Sequence, residues 1–355
     1  MRYLIVTYDN YFNIPYIKFY EDYLKQQNYS YDIILWNRSR QEADIPNAYS
    51  YQGKDRHSKV GKLLPFMGWR RFVLDILKKQ HYDRLIILST LPAVLLADKL
   101  LGEYRNRFWF DIRDFTYENF SFYKKLVEKL VHAAATVSIS SPAFRSFLPE
   151  SDKIYLTHNI SNQDAAESRC NLNTSHMPIT IGFVGGIQFF DQNKRLLQQF
   201  ANHPRFYLKY VGKPHFGCDL EQYCQKNGIT NVAFYSTFTN EQKPAIYREI
   251  QLINCVYGKH NPVVRLLVPN RLYDCVLFKK PILVSKGTYL AEIVTQYRLG
   301  LAVDVETEDT VRAVRSYLET FDPIAFEEGC RQFLDRVEQE IKVYNHALQN
   351  FCRQD

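Results

Sequence analysis

The chain has 355 residues, of which 46% are hydrophobic, and its formal net charge is +7. This length predicts two α/β domains of roughly 150 residues each rather than a single core. No apolar run of about 18 residues occurs and the first residues already form a strand pattern, so we expect a cytoplasmic protein without a transmembrane helix or signal peptide.

The first half of the chain alternates apolar strand patterns with amphipathic helix patterns. Strands are predicted over residues 3–7, 31–36, 84–89, 107–110, 136–139 and 153–156, and helices over 16–26, 92–101 and 123–134. This alternation predicts a doubly wound parallel sheet. Residues 161–177 are rich in Asn, Ser, Asp and Thr, and we expect them to link the first domain, 1–160, to the second.

Residues 178–339 restart the same pattern and predict a second domain. Its strands are predicted over 179–184, 206–211, 231–235, 252–255 and 282–284, with a helix over 241–250. A final helix is predicted over 326–351, since apolar residues recur along one side of it.

A basic stretch between residues 54 and 79 interleaves cations with apolar and aromatic side chains. The cations are Lys54, Arg56, Lys59, Lys62, Arg70, Arg71, Lys78 and Lys79, and the rings are Phe66, Trp69 and Phe72. This composition predicts contact with an anionic membrane surface, with the rings entering the interface. A solvated helix with a core-facing stripe is the alternative, and periodicity alone does not separate the two.

The sequence carries no metal or nucleic-acid signature. Its seven cysteines are scattered without a CxxC or paired spacing, which is typical of reduced, buried thiols. Helix-turn-helix, zinc-finger and RNP-like patterns are missing as well. We therefore expect no structural metal and no nucleic-acid partner.

Residues 269–285 place a cation and a carboxylate one turn apart at the start of a helix. Asn270 is predicted to cap this helix, Arg271 to contact phosphate oxygens, and Asp274 to accept two hydroxyl hydrogen bonds from a ribose. The free N–H groups and positive dipole end of the helix also favour an anion. The segment predicts a nucleotide diphosphate site, and an ordinary helix start is the alternative.

This segment resembles the donor-binding block of the GT-B glycosyltransferases, which reads roughly P-[NS]-K-[LIF]-[FY]-E-Y-x-A-x-G-K-P-[IV]. The resemblance is to the retaining glycosyltransferase family 4 group of bacterial capsule, O-antigen and lipopolysaccharide biosynthesis. Arg271 stands for the Lys, Asp274 for the Glu and Lys279 for the Gly. Residues 287–301, which include Gly287 and Glu292, match the loop, short helix and strand that follow in the family.

The resemblance implies two Rossmann-like domains that face a central cleft, with the C-terminal helix 340–355 returning to the first domain. The second domain would bind a nucleotide-sugar donor, with a UDP-sugar favoured, and the first would bind a surface glycan or polyprenyl-diphosphate-linked acceptor. Family members transfer a hexose without a metal or other cofactor. The implied location is cytoplasmic, peripheral on the inner face of the plasma membrane.

A glycine pair follows the first strand of the second domain. Gly185 and Gly186 resemble the family's first turn, where the backbone approaches a diphosphate, and Lys194 is expected to reach in from the next helix. Gly186 stands where the family usually has an Arg. The pair lacks a G-x-G-x-x-G pattern, so a plain β-turn is the alternative.

Two carboxylates flank a guanidinium where a strand of the first domain ends, at Asp111, Arg113 and Asp114. The carboxyl ends of parallel strands face the ligand crevice, so these charges are candidate catalytic groups. Asp114 or Asp111 is expected to take the acceptor proton or to align the acceptor, and Arg113 to bind acceptor phosphate. A structural Asp–Arg pair is the alternative.

Further candidates for the cleft are His158 and Asn159, which close the first domain, and His260, where the family contacts the donor sugar. The first Glu of the family's E-x7-E pattern is Leu266 here, and the usual Gly-rich loop is replaced by residues 9–13. These departures keep two other functions open. One is an inactive nucleotide-binding or partner-binding subunit, and the other is a nucleotide-sugar epimerase of the same fold.

Overall fold

The computed structural model describes residues 1–38, 40, 44–53, 63–160, 170, 172, 177–215 and 219–353. The chain divides into two compact units, which we call unit 1 (Met1–His158 with Glu340–Asp355) and unit 2 (Asn159–Gln339). Lys54, Arg56, Lys59 and Lys62 of the basic stretch, and most of the predicted linker 161–177, lie outside the described residues.

Unit 1 is built on a parallel sheet with the order β3-β2-β1-β4-β5-β6-β7 among its described residues. The strands are β1 (Arg2–Val6), β2 (Ser30–Trp36), β3 (Ala48–Tyr51), β4 (Arg84–Leu88), β5 (Phe108–Ile112), β6 (Thr136–Ile139) and β7 (Ile154–Leu156). Every residue of β4 and β5 is buried. Such fully buried, mostly apolar strands are expected in a parallel sheet covered on both faces.

Helices connect these strands. They are α1 (Ile17–Gln26), α2 (Leu63–Lys79), α3 (Thr90–Leu95), α4 (Ala97–Leu101) and α5 (Ser121–Ala133), with short 3₁₀ helices at Tyr11–Asn13 and Pro142–Ser146. The end of the last helix of the chain also belongs to unit 1. There Tyr344, Leu348 and Phe351 share one buried cluster with Trp109 of β5 and Tyr20 of α1.

Unit 2 repeats the architecture with the sheet order β10-β9-β8-β11-β12-β13 in its described part. The strands are β8 (Ile179–Val184), β9 (Phe206–Val211), β10 (Val232–Tyr235), β11 (Leu252–Cys255), β12 (Ile282–Ser285) and β13 (Gly300–Val303). The helices are α6 (Phe190–Gln199), α7 (Leu220–Lys226), α8 (Lys243–Arg248), α9 (Pro262–Leu266), α10 (Asn270–Leu277), α11 (Tyr289–Gln296), α12 (Thr310–Glu319) and α13 (Pro323–Arg353), with a 3₁₀ helix at Asn240–Gln242.

The strand order reverses once in each sheet. The reversal lies between β1 and β4 in unit 1 and between β8 and β11 in unit 2. In doubly wound sheets, ligands bind outside the carboxyl ends of the strands at this switch point. The fold therefore directs attention to the segments that follow these four strands.

Three local predictions differ from the structure. The helix predicted over 92–101 is two helices, because Leu96 leaves the helical conformation with φ −108° and ψ 16°. Strand β3 was missed, since its four residues AYSY lie at the sheet edge and lack a buried apolar pattern. The last helix begins at Pro323, a residue that is well tolerated in the first turn of a helix.

The aromatic side chains of the basic stretch point inward. Trp69 is fully buried, and Phe66 and Phe72 pack on Trp36 and Tyr51 at ring-centroid distances of 5.4 and 5.5 Å. The prediction that these three rings enter a membrane interface is therefore wrong, because they form the core contacts of α2. Within the described ranges, no helix combines the length and the apolar character needed to cross a bilayer.

Candidate active site

A pocket of about 300 Å³ opens at the switch point of unit 2. It is lined by Val184, Gly185, Gly186, Gln188, Phe238, Asn240, Lys243, Tyr257, Asn270, Arg271 and Asp274. These residues come from the turn after β8, the segment after β10, the start of α8, the segment after β11 and the first turn of α10. Five of the predicted donor-site residues are thus brought together.

Arg271 is held rigidly in the wall of this pocket and is only 5% exposed. Its Nε donates a hydrogen bond to the Val184 carbonyl at 2.6 Å, and its Nη1 donates to the Tyr257 hydroxyl at 2.5 Å. The guanidinium carbon lies 3.5 Å from the centroid of the Phe183 ring. Hydrogen bonds and stacking together fix a planar guanidinium, which is pre-organised for forked contact with phosphate.

Two glycines, one directly after β8 and one directly after β9, keep the backbone beside Arg271 free of side chains. Gly185 has φ +124°, and a Cβ there would lie 3.1 Å from Nη2 of Arg271. Gly212 has φ +143°, and a Cβ there would lie 2.0 Å from the Gly185 carbonyl oxygen. The bare backbone therefore leaves the space in front of the guanidinium open.

Asp274 accepts hydrogen bonds from two side chains of α8. Lys243 Nζ lies 3.0 and 3.3 Å from its two carboxylate oxygens, and the Tyr247 hydroxyl donates to it at 2.8 Å. Burial raises the pKa of Tyr247 and the Asp274 charge raises it further, so this hydroxyl stays protonated and remains a donor. A carboxylate has about four acceptor positions, so three are filled and one is left for a ligand hydroxyl.

Lys243 is a charged residue of the pocket that sequence reasoning missed. It begins α8 and lines the pocket together with Arg271, so it supplies a second cation where Gly186 replaces the usual Arg. The signal that was available is the capping box formed by Thr239 and Gln242, which marks a helix start just before Lys243.

Lys194, the predicted second cation, is not brought to this pocket. Its Nζ lies 5.2 Å from the centroid of the Tyr223 ring, and the pocket lining does not include it. The prediction for Asn270 also needs correction. Asn270 lines the pocket, but Pro269 occupies the N-cap position with extended backbone angles, and no side chain caps this helix.

The other predicted residues of unit 2 lie apart from the Arg271 pocket. Gly287 has φ +75° and packs near Lys259. His260 pairs with Glu306 at 2.9 Å, and Glu292 is exposed on α11. None of the three lines the pocket.

Asp111 in unit 1 is buried within a saturated network. Both of its carboxylate oxygens accept hydrogen bonds from Arg113 Nε at 2.9 Å, while the Tyr20 and Ser138 hydroxyls donate to it at 2.9 and 2.8 Å. Its exposure is zero. The prediction that Asp111 touches the acceptor is therefore contradicted, because a substrate has no access to it.

Arg113 serves the same network. Besides Asp111 it contacts the Thr157 hydroxyl at 3.2 Å, and its guanidinium carbon lies 4.3 Å from the centroid of the Tyr16 ring. The residue is buried. The structure thus favours the Asp–Arg pair over the predicted contact between Arg113 and an acceptor phosphate.

Asp114, by contrast, is exposed directly after β5. Desolvation by the surrounding protein raises its pKa above the ordinary value of 3.8, and the Asp111 and Asp9 carboxylates add to this while Arg113 opposes it. An accessible carboxylate with a raised pKa is suited to exchange protons with a bound hydroxyl group.

A strained serine follows β4 at the switch point of unit 1. Ser89 comes directly after β4 and has φ +81°, an unusual angle for a residue with a side chain, and it is buried. Its N–H donates to the Asp111 carbonyl at 2.7 Å. Such strain is common near functional sites, and no sequence pattern had drawn attention to it.

His158 and Asn159 lie where unit 1 meets unit 2 in the sequence. His158 Nε2 is 2.7 Å from a carboxylate oxygen of Glu340 on α13, and its side chain is largely buried. This pair ties the returning helix to unit 1. Asn159 is the half-buried first residue of unit 2.

No protein-family model matches the chain, and no curated protein sequence matches it. Several solved structures do match the chain. Sucrose-phosphate synthase from Thermosynechococcus elongatus superposes with a TM-score of 0.71 at 12% identity, covering 100% of both chains. Anabaena Alr3699/HepE in complex with UDP-glucose gives 0.68 at 14% identity, again over 100% of both chains.

A third neighbour is WaaG, a glycosyltransferase involved in lipopolysaccharide biosynthesis, with a TM-score of 0.60 at 14% identity over 100% of this chain and 96% of that one. The chain has the GT-B fold. Its two Rossmann-like parallel sheets are the two domains of that fold, as the sequence predicted. Among the residues that the structure describes, no group of three or more His, Cys, Asp and Glu side chains is placed to hold a metal ion.

Proposed function

We propose that the protein transfers a sugar from a nucleotide diphosphate donor, a UDP-sugar, to a hydroxyl group of a bacterial surface-polysaccharide or lipid-linked glycan acceptor. The observation that carries this proposal is the pocket in which Arg271 and Lys243 face the glycine turn of a GT-B chain. Two cations beside an open backbone turn match the charge and size of a diphosphate.

The chemical step rests on stabilising the leaving diphosphate. Arg271 presents Nη2 towards the Gly185 turn, and Lys243 is close enough to divide its three donors between Asp274 and a phosphate oxygen. Fixed cations aimed at developing negative charge lower the barrier, so the transfer needs no metal. We further propose retention of configuration and a hexosyl donor, in line with the resemblance to family 4.

The remaining acceptor position of Asp274 supports a single hydrogen bond from a ribose hydroxyl, rather than the two expected from the sequence. The UDP-glucose complex of HepE, a structure with the same fold, supports UDP as the nucleotide. In this proposal residues 178–339 bind the donor.

Unit 1 then binds the acceptor, and Asp114 is its catalytic residue. The exposed carboxylate would accept the hydroxyl proton or orient the hydroxyl for attack. A polyprenyl-diphosphate-linked glycan would require a cytoplasmic enzyme held at the inner face of the plasma membrane.

Titration with UDP and with UDP-glucose by calorimetry, followed by a donor hydrolysis assay, tests the proposal. We expect UDP to bind the wild-type protein and Arg271→Ala to weaken binding by roughly 2 kcal/mol, as for one charge-assisted contact. Unchanged affinity in a folded Arg271→Ala variant would remove the nucleotide site from this pocket.

A second function has a specific observation in its favour. Leu266 stands in place of the family's first Glu, and Asp274 is already engaged by Lys243 and Tyr247. A nucleotide-binding subunit without turnover would show this combination. UDP binding without hydrolysis or transfer, across a panel of UDP-sugars, would favour it over the enzyme.

A further inference from the structure

The segment after β9 runs alongside the glycine turn that follows β8. The Gly185 N–H donates to the Val211 carbonyl at 2.9 Å, and the Ile187 N–H donates to the Lys213 carbonyl at 3.0 Å. The His215 N–H donates in return to the Ile187 carbonyl at 2.9 Å. These three bonds continue the pairing of β8 with β9 beyond the two strands, so they fix the backbone of His215 beside the turn.

The imidazole of His215 occupies the space that a side chain at position 186 would enter. A Cβ on Gly186 would lie 2.9 Å from Nε2 of His215. The φ angle of Gly186 is not positive, in contrast to that of Gly185, so the backbone at position 186 would accept a side chain. The glycine that stands in place of the usual Arg is therefore explained by the neighbouring ring and not by its backbone angle.

Arg271 and His215 flank the glycine turn. A Cβ on Gly185 would point to Nη2 of Arg271, whereas a Cβ on Gly186 would point to Nε2 of His215. Both glycines line the Arg271 pocket. An anion that rests on this turn would have a guanidinium on one side and an imidazole on the other. An imidazole N–H is a hydrogen-bond donor that suits a phosphate oxygen.

Gln188 links the imidazole to the same pocket. Its Nε2 donates to Nε2 of His215 at 3.1 Å, and Gln188 lines the pocket together with Arg271. An amide nitrogen can only donate, so the ring nitrogen accepts here and the ring proton lies on Nδ1. With a phosphate oxygen as the partner, Nε2 would carry a proton and donate it.

The charges on the two sides of the ring differ. His215 also lines a neighbouring cavity of about 590 Å³, which contains the carboxylates of Asp219 and Glu221. Asp219 Oδ1 accepts a backbone hydrogen bond at 2.8 Å and caps α7. These carboxylates repel an anion from the cavity, whereas Arg271 and Lys243 attract an anion to the pocket on the side of the turn.

We propose that His215 is a nucleotide-binding residue of the Arg271 pocket, and that its Nε2–H donates a hydrogen bond to the diphosphate. The proposal rests on the proposed function and adds a contact from the segment after β9, which the sequence pattern did not predict. The same contact would stabilise the negative charge that develops on the leaving diphosphate.

Calorimetry with UDP and ligand-observed NMR with uridine test this contact. His215→Ala should weaken UDP binding about tenfold and leave uridine affinity unchanged, because uridine has no phosphate. His132→Ala replaces an exposed histidine in the last turn of α5 in unit 1, so it is the matched control and should change neither affinity. Circular dichroism establishes that each variant is folded.

A second substitution in the His215→Ala background tests whether the ring and a side chain at 186 share one space. Adding Gly186→Arg should restore UDP affinity to within about threefold of the wild type, because a guanidinium then enters the space that the imidazole leaves. Gly186→Leu in the same background is the matched control. It fills the space without a donor and should restore nothing.

Each contrary result has a separate meaning. Wild-type UDP affinity in folded His215→Ala would overturn the inference and leave the proposed function intact. Equal losses for UDP and uridine would show that the ring only supports the turn, and this too would overturn it. Recovery by Gly186→Leu, or no recovery by Gly186→Arg, would refute the shared space. Failure of the wild-type protein to bind UDP would instead refute the proposed function.

Discussion

Replacing Lys243 by Met is the sharpest test of the proposed nucleotide pocket, because it removes the ammonium group and retains a long apolar side chain. In the structure Nζ contacts both carboxylate oxygens of Asp274, at 3.0 and 3.3 Å, and lines the pocket with Arg271. Loss of one charge-assisted contact to a diphosphate costs about 1.5–3 kcal/mol, which weakens UDP binding about 10- to 150-fold.

The same substitution should lower the free energy of unfolding. The side chains of Lys243 and Asp274 are 15% and 8% exposed, so the variant leaves a nearly buried carboxylate with only Tyr247 as a donor. Removing one partner of such a pair costs about 3 kcal/mol. In the Lys243→Met, Asp274→Asn double variant the losses should sum to less than the two single effects, by roughly 1–3 kcal/mol.

Calorimetry with UDP and urea unfolding measure the two effects. Lys194→Met is the matched control for the nucleotide pocket, because the Lys194 ammonium lies over Tyr223 instead. Lys226→Met controls for the loss of an exposed charge. A folded Lys243→Met variant with wild-type UDP affinity would refute the assignment of the second cation. Weaker UDP binding by the Lys194→Met variant would instead support the sequence-based prediction that Lys194 contacts the diphosphate.

Asp114→Asn should abolish sugar transfer and leave UDP affinity intact, because the residue lies in unit 1 and the proposed donor pocket lies in unit 2. A transfer assay and calorimetry with UDP measure the two effects. Asp111→Asn should instead cost about 3–5 kcal/mol of unfolding free energy by leaving Arg113 buried without its partner, and a fully stable variant would contradict this. Gly185→Ala should weaken UDP binding at least as much as Arg271→Ala, because the added methyl group meets the guanidinium. It should also cost about 1–3 kcal/mol in stability, since φ +124° is strained for alanine. Calorimetry of the folded variant checks both effects.

The alternation of strand and helix patterns was enough to predict doubly wound parallel sheets, and the motif resemblance predicted the GT-B fold. Strands β8, β9 and β11 occur where the sequence pattern predicted them, because a parallel strand covered on both faces is mostly apolar along its length. Helix ends were less certain. Helix α10 has Pro269 at its N-cap and helix α3 has Leu96 at its C-cap, and both ends depend on backbone angles that a polarity pattern does not show.

In the candidate site, too, the local features could be predicted from the sequence and the long-range contacts could not. A glycine turn after β8 and an arginine at the start of α10 are local features, and from them the sequence by itself predicted an anion site that includes Gly185 and Arg271. Only the tertiary structure decided which other charges join them. Lys243 reaches Asp274 across 31 positions of sequence, while Lys194 turns to Tyr223. Asp111 and Asp114 are three positions apart, yet one is buried with Arg113 and the other is exposed. Local sequence fixes the residue types and the helix and strand periods, but pairing and burial depend on contacts between distant segments.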